Sequence, residues 1–409
     1  MKKKLISIIL LTILIIIYMY TLVINYFPEK IIIFEGESIL TKPFLGLNVS
    51  SQGETLTVSS NPSEQTINKI GTEKLKLNLF NNFTVKDIDV SVIPKTKVIP
   101  VGNIAGVKLY TNGVLVVGMS EIEGADNKTY KPYENTGIEE GDTIIKINEN
   151  EILSTDALIE MVNESKGNEL SIKYIHENET KECSITPVKT EENDYKLGLW
   201  VRDSAAGVGT VTFYEPSTRT FGALGHGITD IDTGELLNIA SGEFVTTEIL
   251  NISKGEKGSP GKIQGTIDNQ KTIGDISKNT SFGIYGSVQN VTSLNIDKSK
   301  EMDVALRDEI KVGKATILCS LDNKNVEEYK IEIEKIYPEN NYNNKSMEIK
   351  VTDERLIERT GGIIQGMSGS PIIQNGKFVG AVTHVLVNNP LEGYAVFGDL
   401  MIKQSREIN

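Results

Sequence analysis

Apolar positions along the chain fall into two regimes. From Leu5 to Phe27 there are 23 residues without a charge, dominated by Ile and Leu. Beyond Pro28, apolar residues come in short runs broken by Gly, Asn, Ser and Pro. As a helix, the first segment reaches ~34 Å at ~1.5 Å per residue, enough to cross a hydrocarbon core of ~30 Å. Residues 2–4 are all lysine, and Tyr18, Tyr20, Tyr26 and Phe27 gather toward the far end. Lysines stay on the cytoplasmic side and aromatic rings suit the opposite interface. The pattern predicts a single-pass anchor over residues 1–28, with its N-terminus cytoplasmic and the bulk of the chain extracytoplasmic. A cleaved signal peptide would carry a shorter apolar run of ~7–15 residues and then a small-x-small site, which does not follow here.

The remaining patterns divide into three units. Residues 29–96 hold β-type runs, Ile31–Phe34, Leu56–Val58, Leu75–Leu79 and Val85–Ile93, between turn residues. They predict a small β-rich domain without visible chemistry. Residues 97–188 hold a buried-type strand at Gly113–Gly118 and an amphipathic helix over Ser154–Asn163. Alternating strands close the unit at Leu170–Tyr174 and Glu182–Thr186. The string Gly137-Ile-Glu-Glu-Gly-Asp-Thr-Ile-Ile-Lys-Ile-Asn148 resembles a PDZ domain, with Gly141 supplying a tight turn and Ile144, Ile145 and Ile147 entering the core. PDZ domains hold an extended peptide beside a helix. On that resemblance Ala105, Gly106, Val107 and Lys108 are the candidate peptide-binding residues. Residues 189–409 alternate Gly-rich turns with short strands, among them Gly207–Tyr214, Thr246–Ile252, Lys314–Cys319 and Phe378–Val382. This pattern predicts an antiparallel barrel or sandwich. The whole chain therefore reads as mainly β with some α.

Composition narrows the function. Asp and Glu number 55 against 42 Lys and Arg, a net charge of −13. Nucleic acid is an unsuitable partner for such a chain, since phosphate binding needs concentrated Lys and Arg. Two cysteines, Cys183 and Cys319, exclude a disulfide framework but not one bridge. Three scattered histidines do not suggest a zinc site, and no cofactor is expected. Asp230-Ile-Asp-Thr-Gly-Glu235 begins like a calcium loop but lacks its later ligands, so a β-turn is expected.

The strongest chemical signal is Gln365-Gly-Met-Ser-Gly-Ser-Pro371. A serine hydroxyl needs a base to become nucleophilic, and the tetrahedral intermediate needs two N–H donors. Ser368 is the candidate nucleophile, and the N–H groups of Gly366 and Ser368 are the candidate oxyanion hole. Ser370 is read as structural. Pro371 starts a strand, and Gln374-Asn-Gly-Lys377 turns it back as a hairpin. Two histidines could serve as base. His226 stands between glycines at the end of an apolar stretch, which suits a site, whereas strand alternation accounts for His384. The acid that orients the base is Asp353 or Asp303. Asp353 also fits as the N-cap of a helix over Asp353–Arg359 that stops at Gly361-Gly362. Spacing alone does not choose between the two.

The Gly-x-Ser-Gly-x-Pro core resembles the nucleophile loop of chymotrypsin-like serine proteases. Anchor, PDZ-like unit and peptidase, in that order, reverse the order of the HtrA stress proteases. They resemble instead the stage IV sporulation protein B peptidases of spore-forming bacteria. The resemblance rests on Leu224-Gly-His-Gly-Ile-Thr-Asp230, on Thr360–Lys377 and on Gly380-Ala-Val-Thr-His-Val385. It implies that His226 and Ser368 are catalytic and that Asp353 is the acid. It implies, too, a forespore membrane protein facing the intermembrane space, which cleaves and releases itself. Its substrate would be a regulator of an intramembrane protease in the opposing membrane, and that protease activates a mother-cell sigma factor. Two other functions stay open at this point: an envelope quality-control protease and a non-catalytic membrane-anchored PDZ adaptor.

Overall fold

The structure, a computed structural model, describes all residues except 1, 27–28, 36–37, 41–46, 52–55, 59–63, 68–69, 80–82, 290, 295, 338–343 and 407–409; at 2–5, 7–8, 23–26, 38–40, 47–51, 56–58, 64–67, 79, 268–270 and 293 it describes the backbone alone. The chain opens with helix α1 (Lys2–Tyr26). Phe27 and Pro28 of the expected anchor lie outside the described residues. Among the described residues, no helix is long and apolar enough to cross a membrane; the longest run of α1 with described side chains is 9–22.

The first β unit pairs β1 (Lys30–Phe34) in parallel with β4 (Phe83–Ile93). β3 (Gly71–Leu79) joins β4, and β2 (Leu47–Ser51) joins β3. Period-two alternation sends Ile88, Val90 and Val92 of β4 inward against Leu75 and Leu77.

β5 (Lys97–Pro100) leads to the long strand β6 (Ile104–Met119), which serves two units. Near its end, Val114 and Leu115 pair with β7 (Thr143–Ile147). Helix α2 (Thr155–Glu164), β8 (Leu170–His176) and β9 (Glu179–Ile185) complete this PDZ-like unit. Ser154 caps α2, accepting the Ala157 N–H at 3.2 Å. Of the three isoleucines expected inside, Ile144 and Ile147 are buried, but Ile145 is only half-buried. The pairing of β7 with β8 slips at Ile145. That bulge turns two positions three apart onto one face.

The strand β10 (Leu199–Glu215) also serves two units. Its first residues pair with the end of β6, and its next residues with the start of β6. The expected boundary between residues 188 and 189 thus falls within the short strand Val188–Lys189, ahead of β10, which begins in the PDZ-like unit and ends in a barrel. That first barrel adds β11 (Thr220–Ala223), β12 (Ile239–Ser253), β13 (Lys262–Thr280) and β14 (Gly283–Val288). The pairings run in a ring: β6, β12, β13, β14, β11, β10 and back to β6.

A second closed barrel contains β15 (Gly313–Ser320), β16 (Val326–Ile336), β17 (Met347–Val351), β18 (Pro371–Gln374), β19 (Lys377–Leu386) and β20 (Asn389–Phe397). Ile317, Ile331, Ile349 and Phe397 lie in its core. Asn375 and Gly376, both at positive φ, make the expected two-residue hairpin turn between β18 and β19. Helix α3 (Glu354–Thr360) precedes the nucleophile segment, and α4 (Gly398–Arg406) ends the described chain. Arg406 of α4 pairs with the fully buried Glu215 of β10, fastening the second barrel to the first.

Both cysteines are free thiols. Burial pushes Cys183 up to about 11 and the fully buried Cys319 up to about 12. The Asp230 segment is a turn in which the Asp230 carboxylate accepts the N–H groups of Asp232 and Thr233 and also pairs with Arg202.

Candidate active site

The nucleophile segment is shaped by glycines and clamped from the other barrel. Gly366 and Gly369 adopt φ of 101° and 96°, where a side chain is strained. A Cβ on Gly369 would lie 2.1 Å from the Thr210 carbonyl oxygen and 2.6 Å from the Leu224 nitrogen. Only glycine fits where this segment meets the first barrel. Thr210 of β10 then holds the turn twice: its N–H donates to the Ser368 carbonyl at 3.0 Å and its hydroxyl to the Gly366 carbonyl at 2.7 Å. The Met367 N–H is spent on the Ile364 carbonyl at 3.1 Å. Among the described residues, the N–H groups of Gly366 and Ser368 have no acceptor. They stand as a donor pair beside the serine.

His226 follows a sharp exit from β11, where Leu224 and Gly225 both adopt positive φ. Its Nδ1 lies 2.8 Å from the Gly227 carbonyl oxygen. A carbonyl only accepts, so Nδ1 carries the proton and Nε2 is left as the base. Burial lowers the imidazole from its ordinary range, and the bond to Gly227 opposes that shift.

Ser368, His226 and His384 line one cleft of about 410 Å³. The histidine rings lie 4.9 Å apart between centroids. The Ser368 hydroxyl donates to the Thr383 carbonyl at 2.6 Å. Among the described residues, no hydrogen bond joins it to His226. Apart from these histidines, the cleft is lined by apolar and neutral residues such as Ile363, Val385 and Val208, with no Asp, Glu, Lys or Arg.

Asp353 is not brought to His226. It is the N-cap of α3. One carboxylate oxygen accepts the Arg355 N–H and Nε at 3.1 and 3.0 Å, and the other accepts the Lys330 N–H and Arg355 Nη2 at 3.1 and 3.0 Å. The Arg355 guanidinium holds its carboxyl down at about 2, against the opposing push of burial. The helix cap therefore takes this side chain, and the orienting acceptor at His226 is the Gly227 carbonyl. Asp303 pairs opposite Lys97 at the edge of β5, also outside the cleft.

The candidate peptide-binding residues require a correction. Gly106 pairs with Val208 on one side and Val245 on the other, and Val107 with Gly207 and Phe244; Lys108 is likewise paired on both sides, and Ala105 pairs with Gly209. A strand taken on both edges has none to offer a peptide. A groove lies between α2 and the start of β10. It is a cavity of about 600 Å³ lined by Leu158, Ile159 and Val162 and by Leu199, Trp200 and Val201. At its head, Gly198 turns at a φ of 75°.

A family model described as SpoIVB peptidase S55 matches residues 193–402. No curated protein matches the chain. Among solved structures, it is similar to the PDZ domain of the SdrC-like protein from Listeria monocytogenes, at 20% identity over 22% of this chain and 87% of that one, with a TM-score of 0.18. It is also similar to the Rv3671c protease in its inactive form, at 13% identity over 49% and 84%, with a TM-score of 0.29. The family match takes in both walls of the cleft, from before β10 to α4, and on that ground the chain belongs to the SpoIVB peptidase S55 family.

Proposed function

We infer that the protein is a membrane-anchored serine endopeptidase that cuts its own chain and a second protein during sporulation. What carries this reading is Ser368 beside two unpartnered N–H groups, in one cleft with a histidine whose Nε2 is free. Ser368 Oγ leaves the Thr383 carbonyl, gives its proton to His226 Nε2 and attacks the scissile carbonyl carbon. The carbonyl oxygen takes up the electron pair and is held by the N–H groups of Gly366 and Ser368. As the intermediate collapses, the C–N bond breaks and His226 passes the proton to the leaving amine. Water, deprotonated by His226, then releases the acyl group and restores Ser368. The Gly227 carbonyl keeps His226 in the required tautomer. Being neutral, it stabilises the imidazolium less than a carboxylate would.

The anchor is α1. Its side chains over residues 9–19, such as Leu14 at 67% and Ile17 at 59%, are exposed, and Tyr20 packs on the first β unit. Three lysines precede them and no charge interrupts Leu5–Phe27. An apolar surface of this kind is stabilised by lipid. The bulk then faces the space between two membranes, and the substrate is a regulator that restrains an intramembrane protease in the opposing membrane. The test follows full-length protein with time, beside Ser368→Ala. Fragments from the native protein and an intact, folded variant are expected. Equal processing of both contradicts the reading.

A further inference from the structure

The two cavities share one strand. Leu199, Trp200 and Val201 of β10 line the groove beside α2, and Ala205 to Val208 of the same strand line the catalytic cleft. One edge of this stretch is taken by β6. On the other edge, β11 joins only from Val211 onward. Among the described residues, no strand pairs with that edge between Leu199 and Gly209. Trp200, Ser204, Ala206 and Gly207 are exposed. An unpaired edge is a template for an extended chain.

The chemistry sets which part of a substrate lies there. The acyl half must stay with the second barrel, because Ser368 and the donor pair are on it. The leaving amine must face His226, which gives it a proton, and His226 belongs to the first barrel beside β10. The substrate downstream of the scissile bond is therefore directed onto β10, entering near Val208 and running toward Leu199, antiparallel to the strand. From Leu199 to Val208 the strand advances nine positions (208 − 199 = 9), about 30 Å at ~3.3 Å per residue. The Asp203 carboxylate of β10 accepts the Thr155 N–H of α2 at 2.8 Å, which ties the groove's helix to the strand between the two sites.

We propose that the free edge of β10 is a single peptide track joining catalytic cleft and groove, so that the enzyme cuts polypeptides carrying an apolar anchor about ten residues downstream of the scissile bond. The anchor side chain enters between Leu158 and Val162. The groove rim carries Glu121, Glu123, Glu191 and Glu192, and its Lys196 is already paired with Glu192 and Asp194. Residues flanking the anchor are accordingly neutral or basic. The inference rests on the peptidase reading of Ser368.

The test uses full-length protein and pools of synthetic peptides. Each pool has a degenerate core followed by a Gly-Ser spacer, with one Leu placed about four, ten or sixteen residues after the core, or with none. Labelling of Ser368 by a fluorophosphonate reports the peptidase reading separately. The expected result is a kcat/KM at least about tenfold higher for the ten-residue pool, the effect of burying one leucine. In Ile159→Glu that advantage disappears. Equal rates for all pools, an advantage that survives Ile159→Glu, or a labelled enzyme that cuts no pool would overturn the track. Failure to label Ser368 overturns the peptidase reading beneath it.

Discussion

His226 and His384 face each other across the cleft with ring planes 36° apart and centroids separated by 4.9 Å. His384 stands next to Thr383, whose carbonyl holds the Ser368 hydroxyl. Burial, then the His226 ring and Lys345, lower the His384 imidazole to about 4. A neutral ring at this distance screens the base from solvent. Replacing His384 with Ala should lower kcat/KM and move the acid limb of its pH profile up toward the ordinary imidazole value of about 6.5. His384→Phe, which keeps a ring, should recover most of the rate. An unchanged profile in the Ala variant counts against this role.

The same shifts fix the sign of a stability effect. Both histidines are lowered in the folded state, so the unfolded chain takes up protons first as pH falls. The folded protein is favoured above the unfolded value of about 6.5 and loses stability as pH drops below it. Melting temperatures measured from pH 8 downward should decline through this window. In the His226→Gln, His384→Gln double variant the decline there should be shallower.

Asp353 separates a structural role from a catalytic one. Asn retains a capping acceptor, so Asp353→Asn should remain active, whereas Asp353→Ala should cost about 1 kcal/mol of stability or more. Because Arg355 holds the Asp353 carboxyl at about 2, its contribution is present above the unfolded value of ~3.9 and fades as pH falls toward 2. Thermal melts and rates of the two variants decide the matter. Loss of activity in Asp353→Asn at an unchanged melting temperature would show that the carboxylate serves chemistry.

Thr210 tests the clamp between the barrels. Thr210→Val keeps the shape but loses the hydroxyl bond to the Gly366 carbonyl. A hydrogen bond of this kind contributes about 1 kcal/mol. The expected outcome is a fall of roughly fivefold in kcat with little change in KM, because the donor pair acts mainly on the oxyanion. A changed KM with unchanged kcat would place the effect on binding instead.

The local code was legible where a residue type answers to one backbone need. Gly366, Gly369 and the Asn375-Gly376 turn all occupy positive φ, and Asp353 caps a helix, as their surroundings in sequence suggest. Long-range pairing was not legible. Nothing near Gly106–Lys108 announces that both of its edges are filled by strands far along the chain, at Ala206–Val208 and at Glu243–Val245. The groove strand follows the closing strands of its unit, so a boundary drawn after residue 188 cut it off. The Leu197-Gly-Leu199 turn before an apolar run was the signal that could have located it. The role of Asp353 was not legible for a related reason. A Val-Thr-Asp string looks the same whether its carboxylate reaches a histidine or closes on Arg355 two residues later.

The most direct test of the central claim is mass spectrometry of full-length protein after reaction with a serine-directed fluorophosphonate. The arrangement of Ser368, His226 and the donor pair predicts one adduct, on Ser368, which is lost in His226→Gln. An unmodified Ser368 in folded native protein, or equal labelling in His226→Gln, would contradict it.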